Sequence, residues 1–236
     1  MNLALFGGTF DPIHLGHIAI ARAAAERFQL KQVLFCPAYV SPFKADARTA
    51  AYAHRFGMVA LATQEDPLFL ASDLESPEVT GNTGPNYTID TILRLRSQLG
   101  KSDRLFFLCG ADAFLGIAKW KEPEQLLASC EFIVAARPGY GVAEIAAALP
   151  PKLRPAPQVL KVSRDLPSEN LVLPGLNLHL LPDTHEPASS TAVRKRQSSS
   201  RSRTAELDPV VAAYIKKHKL YKSSAASGIH SKKRTG

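Results

Sequence analysis

Two histidines near the amino terminus are the residues whose type and spacing most directly suggest chemistry. His14 and His17 follow a Gly7-Gly8 pair in the stretch "GGTFDPIHLGH". Residues three apart on a helix lie on the same side of it, so both rings would face one ligand, with Gly16 leaving room beside them. Imidazole nitrogens can bind a metal or donate hydrogen bonds to phosphate oxygens.

Three interpretations of the pair compete. Core histidines would need buried partners, which is not expected at a polar, glycine-lined turn. Zinc ligands would need one or two further Cys, His or carboxylate ligands, and no matching cluster lies nearby in the sequence, so we assign no metal ligand. Donors to phosphate oxygens need only an anion at the start of the helix. We favour the phosphate interpretation, while the pattern alone leaves the other two open.

The turn that carries the pair is predicted to join a buried strand at 2–6 to a helix at 15–28. Ligands of open α/β sheets bind at the carboxyl ends of the strands, and the glycines of Gly7-Gly8-Thr9 permit close backbone approach. The helix after the turn would present N–H groups and a positive dipole end to an anion. The turn has neither G-x-G-x-x-G nor G-K-[ST]. We expect Asp11 to order this turn and not to act as a base.

The rest of the chain alternates between strand and helix patterns. Further strands are predicted at 32–37, 68–72, 104–110, 132–137 and 176–182. Helices are predicted at 50–63, 88–99, 124–129, 142–149, 191–197 and 207–221. Strands that read as continuous apolar runs between helices imply a parallel sheet covered on both faces. The predicted fold class is doubly wound α/β in a single domain over residues 1–221, with an irregular Pro-rich insertion at 150–175 and a disordered basic tail at 222–236.

Charge is concentrated at the carboxyl-terminal end. The chain has a net charge of +8, yet residues 194–236 alone carry twelve Lys or Arg against two acids, so the remainder is net negative. This distribution makes nucleic acid an unlikely main partner, although an RNA-binding or regulatory module that uses the basic end is kept as an alternative of another class.

Cysteine usage and the absence of an apolar leader indicate a compartment. The three cysteines, Cys36, Cys109 and Cys130, lie inside apolar runs without paired spacing, which favours reduced core residues. No stretch reads as a signal peptide or a membrane span. We expect a cytoplasmic protein without a membrane partner.

Two motifs carry a family resemblance. "GGTFDPIHLGH" resembles the signature of the H-x-G-H nucleotidyltransferase superfamily, and "SSTAVR" at 189–194 resembles its second motif, I-S-S-T-x-[IV]-R, with Ala188 in place of Ile. Independently of the resemblance, Ser and Thr hydroxyls can cap a helix start, and Arg194 adds a charged fork one turn later. Phosphopantetheine adenylyltransferases are similar at both ends but shorter. The middle segments 84–92, 110–127 and 136–140 look like those of bacterial nicotinate-nucleotide adenylyltransferases.

The resemblance implies a Rossmann-like nucleotidyltransferase fold and a reaction. ATP would transfer its adenylyl group to nicotinate mononucleotide, giving deamido-NAD and pyrophosphate in NAD biosynthesis. Nicotinamide mononucleotide and phosphopantetheine are alternative acceptors. The implied cofactor is Mg²⁺, bound mainly through substrate phosphates and water. ATP and nicotinate mononucleotide are the expected partners. The sequence does not fix the oligomeric state, and a homo-oligomer is kept open as an alternative to a monomer.

The resemblance also assigns residues. His14 would contact the α-phosphate, and His17 with Arg194 the β- and γ-phosphates. The implied ATP site comprises Gly7, Gly8, Thr9, Phe10, Gly110, Asp112, Ser189, Ser190 and Thr191. The implied mononucleotide site comprises Lys44, Thr88, Trp120 and Arg137. A tryptophan face can stack on a pyridine ring, although a lone Trp is also a common core anchor.

Two positions depart from the family pattern. Phe43 stands where the family usually has His within Pro-His-Lys, and Lys121 stands where a second aromatic often follows Trp120. The second departure bears on how the pyridine ring is held and on the preference for the acid over the amide.

Overall fold

The computed structural model describes residues 1–43, 49–136, 141–156, 170–173, 176–181, 189–197 and 205–222. The strands are β1 (Asn2–Gly8), β2 (Gln32–Pro37), β3 (Phe69–Ala71), β4 (Arg104–Gly110), β5 (Glu131–Ala135), β6 (Asn170–Leu173) and β7 (Leu176–Leu181). The helices are α1 (Leu15–Phe28), α2 (Tyr52–Thr63), α3 (Pro77–Thr80), α4 (Thr88–Arg96), α5 (Ala111–Phe114), α6 (Pro123–Ser129), α7 (Val142–Ala148), α8 (Ser190–Gln197) and α9 (Pro209–Lys217). The predicted roles of Lys44 and Arg137, the position of Ala188 and the tail from residue 223 lie outside the described residues.

The strands form one sheet in the order β3-β2-β1-β4-β5-β7-β6. All neighbouring pairs are parallel except β6 and β7, which run antiparallel. The chain moves outward from β1 through β2 to β3, then returns to the other side of β1 with β4. This reversal confirms the predicted doubly wound fold and places the ligand crevice beyond the carboxyl ends of β1 and β4.

The buried strand β1 separates two apolar layers. Leu3 and Leu5 belong to one core cluster, whereas Ala4 and Phe6 belong to the other. Successive side chains of a strand point to opposite faces, so a strand covered on both faces must be apolar at every position. This explains why the first strand reads as an uninterrupted apolar run.

The structure differs from the sequence prediction in two segments. The predicted irregular insertion at 150–175 contains strand β6, which extends the sheet by pairing with β7. The predicted closing helix at 207–221 begins at Pro209, capped by the Asp208 carboxylate as expected, but ends at Lys217. Lys219 and Tyr221 then adopt positive φ angles of 54° and 63°. The Tyr221 hydroxyl reaches the Asp11 carboxylate in the turn before α1. No helix in the described part of the chain has the length and apolarity needed to span a bilayer.

Candidate active site

A pocket of about 510 Å³ opens at the reversal point of the sheet. It combines residues predicted for the two substrates: Gly7, Gly8, Thr9 and Asp112 from the ATP set with Thr88 and Trp120 from the mononucleotide set. Their elements are far apart in sequence, and the parallel sheet brings their ends to one edge. The structure therefore brings part of each predicted subsite to one cavity.

The two glycines at the end of β1 lie in close packing. A Cβ atom on Gly7 would lie 3.0 Å from the ring of Phe107, and one on Gly8 would lie 3.1 Å from the ring of Phe10. The Phe10 side chain is only 2% exposed and packs in the core below the turn. The ring of this predicted ATP-site residue therefore supports the turn and is not presented to a ligand.

The histidine pair forms a stacked unit at the start of α1. The rings of His14 and His17 have centroids 3.7 Å apart and planes inclined by 29°. The backbone N–H of His14 donates to Nδ1 of His17 at 3.2 Å. That nitrogen must therefore carry a lone pair, which leaves the ring proton on Nε2 as a donor.

The start of α1 is less open than its sequence predicts. The first backbone N–H of the helix, from Leu15, donates to the carbonyl oxygen of Glu206 at 2.9 Å. Because this N–H is taken by the protein, an anion at this helix would depend more on the imidazoles than on the helix terminus.

The second motif packs directly on the turn of the first. The Ser190 hydroxyl donates to the carbonyl oxygen of Pro12 at 2.9 Å, and Nη1 of Arg194 donates to the carbonyl oxygen of Asp11 at 2.6 Å. The Ser189 hydroxyl accepts from the N–H of Ala192 at 3.1 Å, so Ser189 caps α8, in agreement with the expectation that hydroxyls of this motif cap a helix start. The two motifs thus form adjoining parts of one site.

Asp11 is the centre of this junction. Its carboxylate, 2% exposed, accepts hydrogen bonds from the Ala50 N–H at 3.1 Å and from the Tyr221 hydroxyl at 2.7 Å. Burial, and then the contact with Asp11, raise the pKa of Tyr221, so its hydroxyl remains a donor at neutral pH. These contacts agree with the prediction that Asp11 orders the turn.

Arg55 is a positioning residue that the sequence did not reveal. Its buried guanidinium donates to the carbonyl oxygens of Ala50, Thr9 and Tyr39 at distances of 2.8 to 3.0 Å. Desolvation lowers the pKa of Arg55, partly offset by the nearby Asp11 carboxylate. The only signal was a lone Arg within an apolar helix. Arg55 joins the turn at Thr9 to the segments that contain Tyr39 and Ala50.

Another part of the pocket wall is aromatic. Trp120 packs edge-on against Phe107, with ring centroids 5.9 Å apart and an interplanar angle of 84°. Trp120 is half-buried and also lines the pocket, so it combines a core contact with an accessible surface. Thr88 is the first residue of α4 and lines the pocket together with Ile89.

Glu75 is a second pocket residue that sequence reasoning missed. It is 7% exposed, lines the cavity and accepts a hydrogen bond from the Thr91 hydroxyl at 3.0 Å. Burial raises the pKa of Glu75 to about 7, and the Thr91 hydrogen bond, Arg94 and Arg55 act in the opposite direction. The available sequence signal was the pair of acidic residues after β3, Asp73 and Glu75. Because β3 belongs to the parallel part of the sheet, its carboxyl end lies at the edge where ligands bind.

Other predicted residues lie beside the pocket. Among the described residues, its lining does not include the histidine pair, Gly110, Ser189, Ser190, Thr191 or Arg194. The histidines and the second motif adjoin its glycine end through the turn at residues 9–12. The described residues contain no group of three His, Cys, Asp or Glu side chains that could hold a metal ion, so they supply no third ligand for zinc.

Comparison with known proteins assigns the family. The profile of the cytidylyltransferase-like family matches residues 5–196. A Thermoanaerobacter protein named "Probable nicotinate-nucleotide adenylyltransferase" is 34% identical over 97% of this chain and 98% of its own length. One of the same name from Thermus thermophilus is 37% identical over 94% of this chain and its own full length. The chain belongs to the nicotinate-nucleotide adenylyltransferase family.

The solved structures support the same fold. A Plasmodium falciparum nicotinic acid mononucleotide adenylyltransferase, solved in complex with NaAD, superposes with a TM-score of 0.65 at 19% identity, covering 93% of this chain and 97% of that one. Membership of the family makes the protein a nucleotidyltransferase, and its α/β fold agrees with that of this structural neighbour.

Proposed function

We propose that the protein joins ATP and nicotinate mononucleotide to give deamido-NAD and pyrophosphate, a step of NAD biosynthesis. The observation that carries the proposal is the single pocket that runs from the Gly7-Gly8 turn to Trp120 and Thr88. Its glycine end, next to the histidine pair, suits phosphates, and its aromatic end suits a flat ring.

The reaction needs no protein nucleophile. A 5′-phosphate oxygen of the mononucleotide attacks the α-phosphorus of ATP, the bond to the bridging oxygen breaks, and pyrophosphate leaves. Catalysis of such a transfer is positioning and stabilisation of charge. We assign His14 to the α-phosphate, and Nε2–H of His17 with the Arg194 guanidinium to the phosphates that leave. The rigid stack of the two imidazoles and the bond from Arg194 to Asp11 support these assignments, because donors fixed in advance stabilise developing charge without reorganisation.

Magnesium enters this scheme with the nucleotide. The described residues offer no cluster of three potential ligand side chains, so we assign Mg²⁺ to the phosphate oxygens of ATP and to water. The bound ion would neutralise charge on the triphosphate while the protein orients it.

The start of α4 supports nicotinate as the ring. Thr88 and Ile89 occupy its first turn and line the pocket. A helix start with a hydroxyl and backbone N–H groups favours a carboxylate over a neutral amide. We therefore expect the acid to be the better acceptor.

A steady-state comparison tests the function. The protein is incubated with ATP and Mg²⁺ and with nicotinate mononucleotide, nicotinamide mononucleotide or phosphopantetheine, and pyrophosphate release is measured. We expect the highest kcat/KM with nicotinate mononucleotide. A higher kcat/KM with either other acceptor would refute the proposed substrate, and no release with any of them would refute the activity.

A further inference from the structure

Phe43 is an exposed aromatic residue at the mouth of the pocket. Its side chain is 59% exposed, although it lines the cavity together with Trp120. Exposure of a phenyl ring to water is unfavourable, and single exposed apolar residues are common on protein surfaces. A functional interpretation of Phe43 therefore has to rest on what its ring faces.

The ring of Phe43 lies near that of Trp120 at the pocket wall. Their centroids are 6.4 Å apart, and their planes are inclined by 36°. Carbon atoms in optimal contact are separated by about 3.5 to 4.0 Å, so a third ring between two others needs a total of about 7 to 8 Å. The observed gap is thus about 1 Å short of this requirement. Because Phe43 is largely exposed, a displacement of its side chain away from Trp120 would cost little core packing and would open the gap to a flat ring.

Trp120 is the fixed wall of this gap. Phe107, which is itself buried in the core, supports Trp120 through an edge-on contact. A Cβ atom on Gly116 would lie 3.7 Å from Nε1 of Trp120, which shows that the backbone passes close to the indole. Because Trp120 is held by the core and Phe43 is exposed, Phe43 can move to admit a ligand ring with little rearrangement of the core.

Lys121 lines the pocket but does not supply a second aromatic wall. Its ammonium group donates to both carboxylate oxygens of Asp90, at 3.1 and 3.0 Å, and lies 5.0 Å from the centre of the Tyr87 ring. The side chain after Trp120 is thereby directed to α4. The position at which the resemblance led us to expect a second aromatic does not provide one.

We propose that Phe43 is a substrate-binding residue that, with Trp120, clamps the pyridinium ring of the mononucleotide between two aromatic faces. The inference rests on the proposed function. An N-ribosylated pyridinium ring is both flat and cationic, so it gains stacking and cation–π attraction from each face. The clamp recognises the ring shared by the acid and the amide. Discrimination between these two substrates is left to the start of α4.

The single tryptophan of the chain makes the clamp measurable without turnover. Nicotinate mononucleotide is titrated while Trp120 fluorescence is recorded, and KM for both substrates is measured in parallel. We expect Phe43→Ala to raise the Kd and KM for the mononucleotide about tenfold, with the KM for ATP and kcat within twofold of the starting protein. Phe43→Tyr should bind as the starting protein does, and Phe43→Leu should bind at least fivefold more weakly.

Leu93→Ala is the matched control, because Leu93 is 40% exposed on α4 and does not line the pocket. Its binding should be unchanged. Equal binding by Phe43→Leu and the starting protein would overturn the clamp, since it would show that no aromatic face is needed. Turnover and quenching that are normal in Phe43→Ala would overturn the clamp and leave the proposed function intact. If the starting protein neither turns over the mononucleotide nor shows quenching, both proposals fail together.

Discussion

Arg194 donates a hydrogen bond to the backbone carbonyl oxygen of Asp11 across 183 positions of sequence. The same guanidinium donates to the Thr191 hydroxyl at 3.2 Å. It therefore fixes the turn before the histidine pair while remaining 34% exposed at its side chain, which leaves surface for an anion.

Substitution of Arg194 by Lys should be severe despite the retained charge. An ammonium group cannot reproduce the planar fork that serves Asp11, Thr191 and a phosphate together. We expect kcat/KM to fall by about 10² to 10³, the usual effect of removing one donor to developing charge. Steady-state kinetics and thermal unfolding check this. Arg196→Lys is the control, because Arg196 lies on the same helix as Arg194 and forms an ion pair with Glu206 at 2.7 Å. An equal loss of kcat/KM in that variant would argue against a specific role of Arg194.

His17→Ala should abolish most turnover and preserve the fold. The substitution removes the Nε2–H donor and the ring that accepts the His14 N–H, so we expect kcat to fall at least about 10²-fold. The free energy of unfolding should decrease by about 1 kcal/mol through the lost helix-start contact. Kinetics and urea unfolding measure the two effects. His218→Ala, at the end of α9, should leave kcat unchanged, whereas near-normal turnover of His17→Ala would remove the assignment.

Glu75 should make stability depend on pH in a defined direction. Its pKa is raised from 4.5 to about 7, so between these values the folded protein holds a proton that the unfolded chain has lost. The free energy of unfolding therefore falls as pH rises from about 4.5 to about 7, by about 3 kcal/mol at most. Glu75→Gln should abolish this decrease, because an amide keeps an acceptor for Thr91 without a titrating proton.

Urea unfolding at pH 5 and at pH 8 measures the effect of Glu75. The variant should exceed the starting protein in stability at pH 8 and differ little at pH 5. Glu124→Gln is a suitable control, because that side chain is 46% exposed in its pairing with Lys152. A pH dependence that survives in Glu75→Gln would assign it to another group.

The hydroxyl of Tyr221 should be more important to stability than the whole basic tail. Tyr221→Phe removes the bond to the buried Asp11 carboxylate, which we expect to cost about 2 kcal/mol, since hydrogen bonds to charged groups contribute about 1.5 to 3 kcal/mol. Deletion of residues 223–236 should leave both activity and unfolding unchanged. The same deletion tests the RNA alternative: a loss of turnover or of a measurable RNA complex would give the tail a function that we do not assign to it.

The sequence predicted the sheet and the glycine end of the pocket well. The signals were local: the apolar runs of the strands, the Gly7-Gly8 pair and the histidine spacing. Because the rules of chain connection leave few possible topologies for strands that alternate with helices, such signals are enough to predict a doubly wound sheet. The capping role of hydroxyls in the second motif and the ordering role of Asp11 were accessible for the same reason, since short polar side chains at helix starts and in turns have a fixed chemistry.

The residues that were missed act through long-range contacts. Arg55 binds carbonyl oxygens in three separate segments, and nothing near it in the sequence indicates their positions. Glu75 gains its raised pKa from burial that only the folded pocket creates. The free helix start that we expected before Leu15 is closed by the carbonyl of Glu206, a contact from the far end of the chain. Tertiary contacts of this kind leave no periodic signal.

The antiparallel strand β6 has a consequence for how such a chain can diverge. It lies at the outer edge of the sheet, three strands beyond β4, which at a spacing of about 4.8 Å amounts to about 14 Å from the catalytic crevice. Insertions or deletions between α7 and β7 would lengthen or shorten this outer edge of the sheet, while the strands that hold the substrates keep their register. The edge formed by β6 is thus the place where this fold can take up additional residues and, with them, new surface for regulation or assembly.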